Sequence, residues 1–215
     1  MLVCSMEMRP VLTLERMKRQ ATMKRQPSPA EIRAFHQWSD NRLWLYDRLG
    51  SVNWKHLLAV CRWAVAKRGI THVVIDSLMR CGVAETDYDG QKAFVDALCS
   101  FKNDNPVTVH LVMHSRKKED EFAPPGKFDA KGNGTITDLA DNVMTVWRNK
   151  KKEAQREQGM ATDEILKKPD AMIICDKQRN FDWEGSIALW YERESMQYVQ
   201  HGIDLQPMDL MQWRA

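Results

Sequence analysis

Two short runs in this chain are apolar on both faces of an extended backbone, and each ends on a polar residue. Thr71-His-Val-Val-Ile-Asp76-Ser77 is the first; Val107 to Met113, followed by His114, is the second. Strands apolar on both faces belong to a parallel sheet covered by helices on either side. Helical spacing precedes each of them. Trp54 to Lys67 carries Leu57, Leu58, Cys61 and Val65 on one face, and a segment capped by Asp87 or Asp89 runs through Phe101. Upstream, Met1 to Ser5 reads as the end of a strand with Glu7 directly after it. Pro10 opens a helix at its first turn, with Val11, Leu14, Met17 and Ala21 at helical spacing. Ser28-Pro-Ala-Glu31 is a capping-box pattern that predicts a short helix through Trp38, and Leu43 to Leu49 predicts a strand. Alternating helix and strand make an α/β fold built of βαβ units.

The pattern changes after His114. Ser115 to Asn133 is charged and broken by Pro124, Pro125, Gly126 and Gly132, which predicts a long loop of the kind that usually carries function or disorder. Thr135 to Asn142 reads as a turn or two of helix and Val143 to Trp147 as a strand. Arg148 to Lys168 is a second hydrophilic insert. Ala171 to Cys175 and Ser186 to Tyr191 predict a hairpin, and no clear period follows Glu192. With no internal repeat or second domain in view, residues 1–192 are expected to form one core and 193–215 a tail.

Composition narrows the classes. At 215 residues the chain is long enough for one sizeable core, and 43% hydrophobic with 28% charged residues is a globular balance. A net charge of +3 permits a nucleic-acid partner without arguing for one. The five cysteines are scattered, with no Cys-x-x-Cys pair, and read as small buried residues of a reducing cytoplasm. No apolar run approaches the roughly 18 residues of a membrane span, and MLVCSMEMRP lacks the features of a signal peptide. The eight tryptophans fall mostly on expected helix or strand faces, which favours packing over base stacking.

Chemistry gathers where strands end, the usual place for ligands in α/β sheets. A carboxylate at Asp76 is placed either to cap its strand or to hold Mg²⁺ through water beside a nucleotide's phosphates. Glu7 is either a solvated helix-entry acid or a group able to polarise a water. His114 is either structural or a sensor of a terminal phosphate. Lys177 and Arg179, two apart on a strand or turn, project the same way and can reach one external target. Arg116, Lys117, Lys118 and Lys131 in the first loop suit phosphate contact without sequence reading. Arg148 to Lys152 reads instead as a solvated insert.

In this order the segments resemble the hexameric replicative helicases of the RecA-like class, especially the helicase half of phage primase-helicases and mitochondrial Twinkle. The resemblance runs from Val3 to Tyr191. Ser5-Met-Glu7-Met is similar to the segment with that family's catalytic glutamate, Val74-Ile-Asp76-Ser77 to its Walker B strand, and His110-Leu-Val-Met-His114 to the strand ending in its phosphate-sensing histidine. Gly132-Asn133-Gly134-Thr-Ile-Thr-Asp-Leu-Ala-Asp141-Asn-Val resembles the motif that precedes its next core strand and borders its DNA channel, and Lys177-Gln-Arg179 its Lys-x-Arg hairpin. The resemblance implies a RecA-like P-loop ATPase core with a mainly parallel sheet and a carboxyl-terminal hairpin. It implies ATP and Mg²⁺ as cofactors, with Asp76 at the metal and Lys177 and Arg179 at the nucleotide. As partners it implies single-stranded DNA and identical subunits in a ring, expected to be a hexamer. It further implies contacts to DNA from residues 116–118, Lys131 and Asn133, and work in a bacterial cytoplasm, for a phage or prophage. Arg179 is thereby assigned an arginine finger acting on the neighbouring subunit, a device worth about 10³–10⁵ in rate, with Lys177 supporting it.

One part of the pattern is missing. No Gly-x-x-x-x-Gly-Lys-Ser/Thr phosphate loop occurs in the 215 residues, and that loop normally cradles the β- and γ-phosphates. The resemblance places it, with its strand, ahead of Met1, and identifies the chain as the carboxyl-terminal part of a helicase domain. Loss of that strand is expected to bare an apolar edge beside the Asp76 strand. The alternatives are a non-catalytic remnant that binds DNA or a helicase ring, and a recombinase-type ATPase of the same fold. The Lys-x-Arg hairpin and the Gly-x-Gly segment weigh against the last.

Overall fold

The computed structural model describes residues 1–114, 135–201 and 206–210. The doubly apolar runs become neighbouring strands of a wholly parallel sheet. Its order is β2 (Trp44–Leu45), β1 (Leu2–Ser5), β3 (His72–Asp76), β4 (Thr108–Val112). Helices α3 (Trp54–Arg68) and α4 (Tyr88–Asp104) make the crossovers. Leu2, Cys4, Val73 and Ile75 from the sheet are buried together with Leu57 and Cys61 of α3 and Phe94, Leu98 and Phe101 of α4. Each large apolar side chain withdrawn from water contributes about 1.5–3 kcal/mol before entropy is counted. Apolar faces at the right period thus hold the sheet against its helices.

Local chemistry sets where the helices begin and end. The Ser28 hydroxyl accepts from the Glu31 amide at 3.3 Å while the Ser28 amide donates to the Glu31 carboxylate at 2.8 Å, so the capping box forms and starts α2 (Pro29–Ser39). Of the two candidate caps for α4, Asp87 is the one used, accepting from the Gly90 amide at 2.9 Å. Helix α1 (Pro10–Thr22) starts at its proline with no side-chain cap. Gly69 ends α3 in the left-handed conformation, at φ 62°, and donates to the Val65 carbonyl, a role glycine fills without steric cost.

Residues 135–201 build a second, antiparallel sheet. After α5 (Thr135–Leu139), strands β5 (Asn142–Arg148), β6 (Ala171–Gln178), β7 (Gly185–Glu192) and β8 (Gln197–Val199) lie side by side in that order. The expected hairpin is therefore longer than its sequence suggested, and β8 adds part of the 193–215 segment to the sheet. The insert from Arg148 holds two short helices, α6 (Lys150–Glu157) and α7 (Asp163–Lys167). The Lys152 side chain is 4% exposed there and is paired with Asp170 at 2.8 Å. Ile136 of α5 joins the main core, and Arg19 of α1 donates to the carbonyls of Arg193 and Glu194.

Two expectations change. Leu43 to Leu49 contributes only Trp44 and Leu45 as strand, paired with Leu2 and Val3 of β1. The Asp76 strand has no bare edge: β3 is paired with β1 on one side and β4 on the other. Among the described residues, the edge strands with one unpaired side are β2 and β4 (the latter beside His114) of the parallel sheet and β5 and β8 of the antiparallel one. Val112 on β4 and Met144 and Val146 on β5 are exposed there. Cys4, Cys61, Cys81 and Cys175 are buried and all five cysteines are free thiols. Trp63 and Trp183 are exposed, Trp213 lies outside the described residues, and the other tryptophans are half-buried, as packing requires. No helix among the described residues is long and apolar enough to cross a membrane.

Candidate functional site

Parallel register brings the polar strand ends together. Ser5 is opposite Asp76, Asp76 is opposite Val112, and the Met6 amide donates to the Asp76 carbonyl at 3.0 Å. The carboxyl ends of β1, β3 and β4 are therefore level, and Glu7, Asp76 and His114 emerge on one rim. The Ser5 hydroxyl donates to Asp76 Oδ2 at 3.3 Å. Three groups surround Glu7 Oε1: Arg80 Nε donates at 3.1 Å, the Ser77 hydroxyl donates at 3.3 Å, and His114 Nε2 stands 3.6 Å away. Sequence reasoning named Glu7, Asp76 and His114 and missed Ser5, Ser77 and Arg80. The signal for Arg80 is its spacing: four residues past Asp76, it closes the short 3-10 turn Leu78–Arg80 and points back at Glu7.

Electrostatics keep Glu7 ionised. Partial burial pushes its carboxyl pKa up, but the Arg80 hydrogen bond and the charges of His114 and Arg80 outweigh it and hold the group below the usual carboxylate range. A charged glutamate two residues past one strand, level with a carboxylate ending the next, can orient a water and a divalent cation at one place.

The other two candidates lie elsewhere. Lys177 is on β6 and Arg179 just past its end. Lys177 Nζ donates to the carbonyls of Thr137 and Asp138 at 3.0 and 2.8 Å. Arg179 pairs with the Asp141 carboxylate at 2.8 Å and donates to the Asp138 carbonyl at 3.3 Å. Asp141 also binds Lys102 at 2.5 Å. Lys102 sits in the last turn of α4, which leads into the amino-terminal end of β4. Arg179 is consequently at the end of the parallel sheet away from Glu7 and His114, about a strand's length (roughly 16 Å for five residues) from its own chain's rim. Asp141, part of the Gly132-to-Val143 motif but given no role by the sequence, is the anion that holds it. Lys102 hydrogen-bonds that carboxyl and, against some burial, keeps its pKa below the ordinary value, with Arg179 and Lys177 adding to the effect. Arg116, Lys117, Lys118, Lys131 and Asn133 lie outside the described residues.

A family model described as the AAA domain matches residues 1–120, more than half of the chain. The chain belongs to that AAA domain family. Its matched part is the parallel sheet with the Glu7, Asp76 and His114 rim. Two solved structures show the same fold over 93% of this chain. One is a DnaB-like replicative helicase described with its interactions with primase, at 15% identity and TM-score 0.68. The other is described as an ATPase domain, at 16% identity and TM-score 0.70. The fold is thus RecA-like, shared with these two structures. The chain spans half the length of the first of these structures and 73% of the second. No curated protein sequence matches it.

The rim of this AAA domain fits part of a Mg²⁺–nucleotide site. Asp76, Ser5 and Ser77 offer hard oxygen donors. The described residues contain no cluster of three or more His, Cys, Asp or Glu able to cage a metal by themselves. The Gly-x-x-x-x-Gly-Lys-Ser/Thr motif that would cradle the β-phosphate does not occur in the sequence.

Proposed function

We propose that the chain is the carboxyl-terminal part of the ATPase core of a replicative DNA helicase. In this reading it translocates on single-stranded DNA and hydrolyses ATP at the boundaries between identical ring subunits. The observation that carries the proposal is the separation of two half-sites. Glu7, Asp76 and His114 share one rim, while Lys177 and Arg179 are held at the far end of the same sheet. In this reading Arg179, a strand's length from its own chain's glutamate, serves a neighbour's.

ATP with Mg²⁺ supplies the phosphoryl group whose hydrolysis drives movement. Asp76, steadied by the Ser5 hydroxyl, would hold the cation, which would neutralise phosphate charge. Glu7, ionised at neutral pH, orients and polarises the attacking water. His114, within reach of Glu7, contacts the terminal phosphate and reports its loss to the β4 end. Arg179 of one subunit stabilises charge developing at the next, with Lys177 beside it. A strand added to the unpaired side of β4 would end next to His114, the position from which a phosphate loop can serve this rim. Residues 116–118, Lys131 and Asn133 are the proposed DNA contacts, binding phosphates without reading sequence. A bacterial cytoplasm and a phage or prophage origin belong to the same reading.

A second reading has one observation in its favour: the absence of a phosphate loop from the 215 residues. In it the chain binds DNA or a helicase ring without turnover. A protein carrying these residues together with a phosphate loop separates the two. Glu7→Gln there should leave nucleotide binding nearly unchanged and cut turnover, because it removes the water-orienting carboxylate and no phosphate contact. Equal losses of binding and turnover would make Glu7 a structural acid and remove the case for catalysis.

A further inference from the structure

The outward face of α3 is basic, aromatic and free of acids. Between Asp47 and Asp76 the chain carries Arg48, Lys55, Arg62, Lys67 and Arg68 and not one carboxylate side chain. On the helix, Lys55, Ala59, Arg62, Trp63, Ala66 and Lys67 are exposed, while Leu57, Leu58, Cys61 and Ala64 are buried in the main core. At 3.6 residues per turn the exposed set shares one side of the helix, and its two alanines leave a low floor beside Trp63. The neighbouring α4 is nearly balanced, with Asp89, Asp96 and Asp104 against Lys92 and Lys102, and Asp96 is paired with Lys92 at 4.0 Å. Among the described residues, Arg62, Lys67 and Arg68 are in no ion pair.

Helix stability does not explain this charge. Lys67 and Arg68 suit the carboxyl end of the helix dipole, but Lys55 is in the first turn, where a cation is unfavourable, and no acid stands there. Nor is Trp63 a packing residue, being 52% exposed. The Arg68 guanidinium lies over its ring at 5.5 Å and over that of Trp44 at 4.6 Å. One face of the Trp63 indole is thereby held in place and the other is left to solvent.

We propose that this face of α3 binds a single strand of nucleic acid, with a base stacked on Trp63 and the phosphates beside it held by Arg62 and Lys67. An aromatic platform among cations is the arrangement that takes single strands without reading their sequence. An indole already held by Arg68 loses little freedom when a base arrives, and no carboxylate on α3 opposes the phosphates. The surface is separate from the proposed contacts of residues 116–118, Lys131 and Asn133. It goes beyond the proposed function, because it requires neither ATP nor a second subunit.

Fluorescence anisotropy of a labelled oligothymidylate of about 16 nucleotides, the upper range of a single-strand site, tests it without ATP. The 215-residue protein is used with Arg116, Lys117, Lys118 and Lys131 all changed to Ala, which removes the proposed loop contacts. This background protein should still bind. Trp63→Ala in it should weaken binding about tenfold and leave the salt dependence unchanged. Trp63→Phe, which keeps a ring against Arg68, should recover most of that loss. Arg62→Ala and Lys67→Ala should each lower the slope of log K against log salt by about 0.7, the loss of one phosphate contact. Three results overturn the proposal: no binding by the background protein, unchanged affinity in Trp63→Ala, or displacement by poly-glutamate as readily as by unlabelled oligothymidylate. Background binding as tight as that of the unaltered chain upholds this surface and sinks the loop contacts instead. An oligouridylate of equal length tells RNA from DNA, the tighter of the two being the strand that this face takes.

Discussion

Replacing Asp141 with Asn removes the charge that holds Arg179, and the cost follows from the geometry. The Asp141 side chain is 28% exposed, that of Lys102 33% and that of Arg179 50%. Ion pairs this open to solvent are worth about 0.2–1 kcal/mol each. The asparagine amide retains some hydrogen bonding, so loss of the two pairs together should cost about 1 kcal/mol at pH 7. For a chain of this size that lowers Tm by about 2–4 °C. The sign of the pH dependence is determined by Lys102 and Arg179, which hold the folded carboxyl below its ordinary value. A depressed carboxyl contributes stability that is complete above the unfolded pKa of about 3.9 and is lost as pH falls through the folded pKa. Urea denaturation of both proteins between pH 7 and pH 3 should show a gap that closes only on the acid side. A gap of equal size at all pH values would mean that the substitution acts through shape, and no gap at pH 7 would mean that the network does not restrain Arg179 at all.

Arg80→Ala should raise the Glu7 carboxyl pKa toward its ordinary value, because the Arg80 hydrogen bond and charge are among the causes that lower it. An NMR titration of the Glu7 side chain reads this directly, and an unmoved pKa would show that Arg80 does not set its charge. The pure 215-residue chain should show no appreciable ATP hydrolysis or unwinding, since it carries no phosphate cradle. DNA-stimulated hydrolysis that Asp76→Ala abolishes would show that nucleotide binds without that cradle.

Much of the parallel half was legible because its signals are local. Val73 and Ile75 flank Val74, which is also apolar, so β3 reads as an inner strand. Ser28 and Glu31 mark a helix start by themselves. The position of Glu7 straight after β1 likewise needed no third dimension. Arg80 and Asp141 stayed hidden because their meaning lies in partners 73 and 38 residues away. Strand order was also beyond reach: nothing in the Asp76 run says that its neighbours are β1 and β4, and the unpaired sides fall instead on the edge strands β2, β4, β5 and β8. β8 is three residues long, too short for a period to show, and is defined by its pairing with β7. The comparison with known folds bears out the RecA-like architecture, while the roles given to Glu7, His114, Lys177 and Arg179 remain proposals.

Complementation between two inactive proteins tests the central claim that each hydrolytic site is shared by two subunits. Both carry these residues together with a phosphate loop, one bearing Arg179→Ala and the other Glu7→Gln. In a mixed ring, a boundary between an Arg179-intact subunit and a Glu7-intact neighbour holds both groups. The account predicts that each variant alone is nearly inactive and that mixing restores part of the ATPase rate. Normal hydrolysis by Arg179→Ala alone would contradict it outright, and so would mixed rings, verified by mass, in which no activity returns.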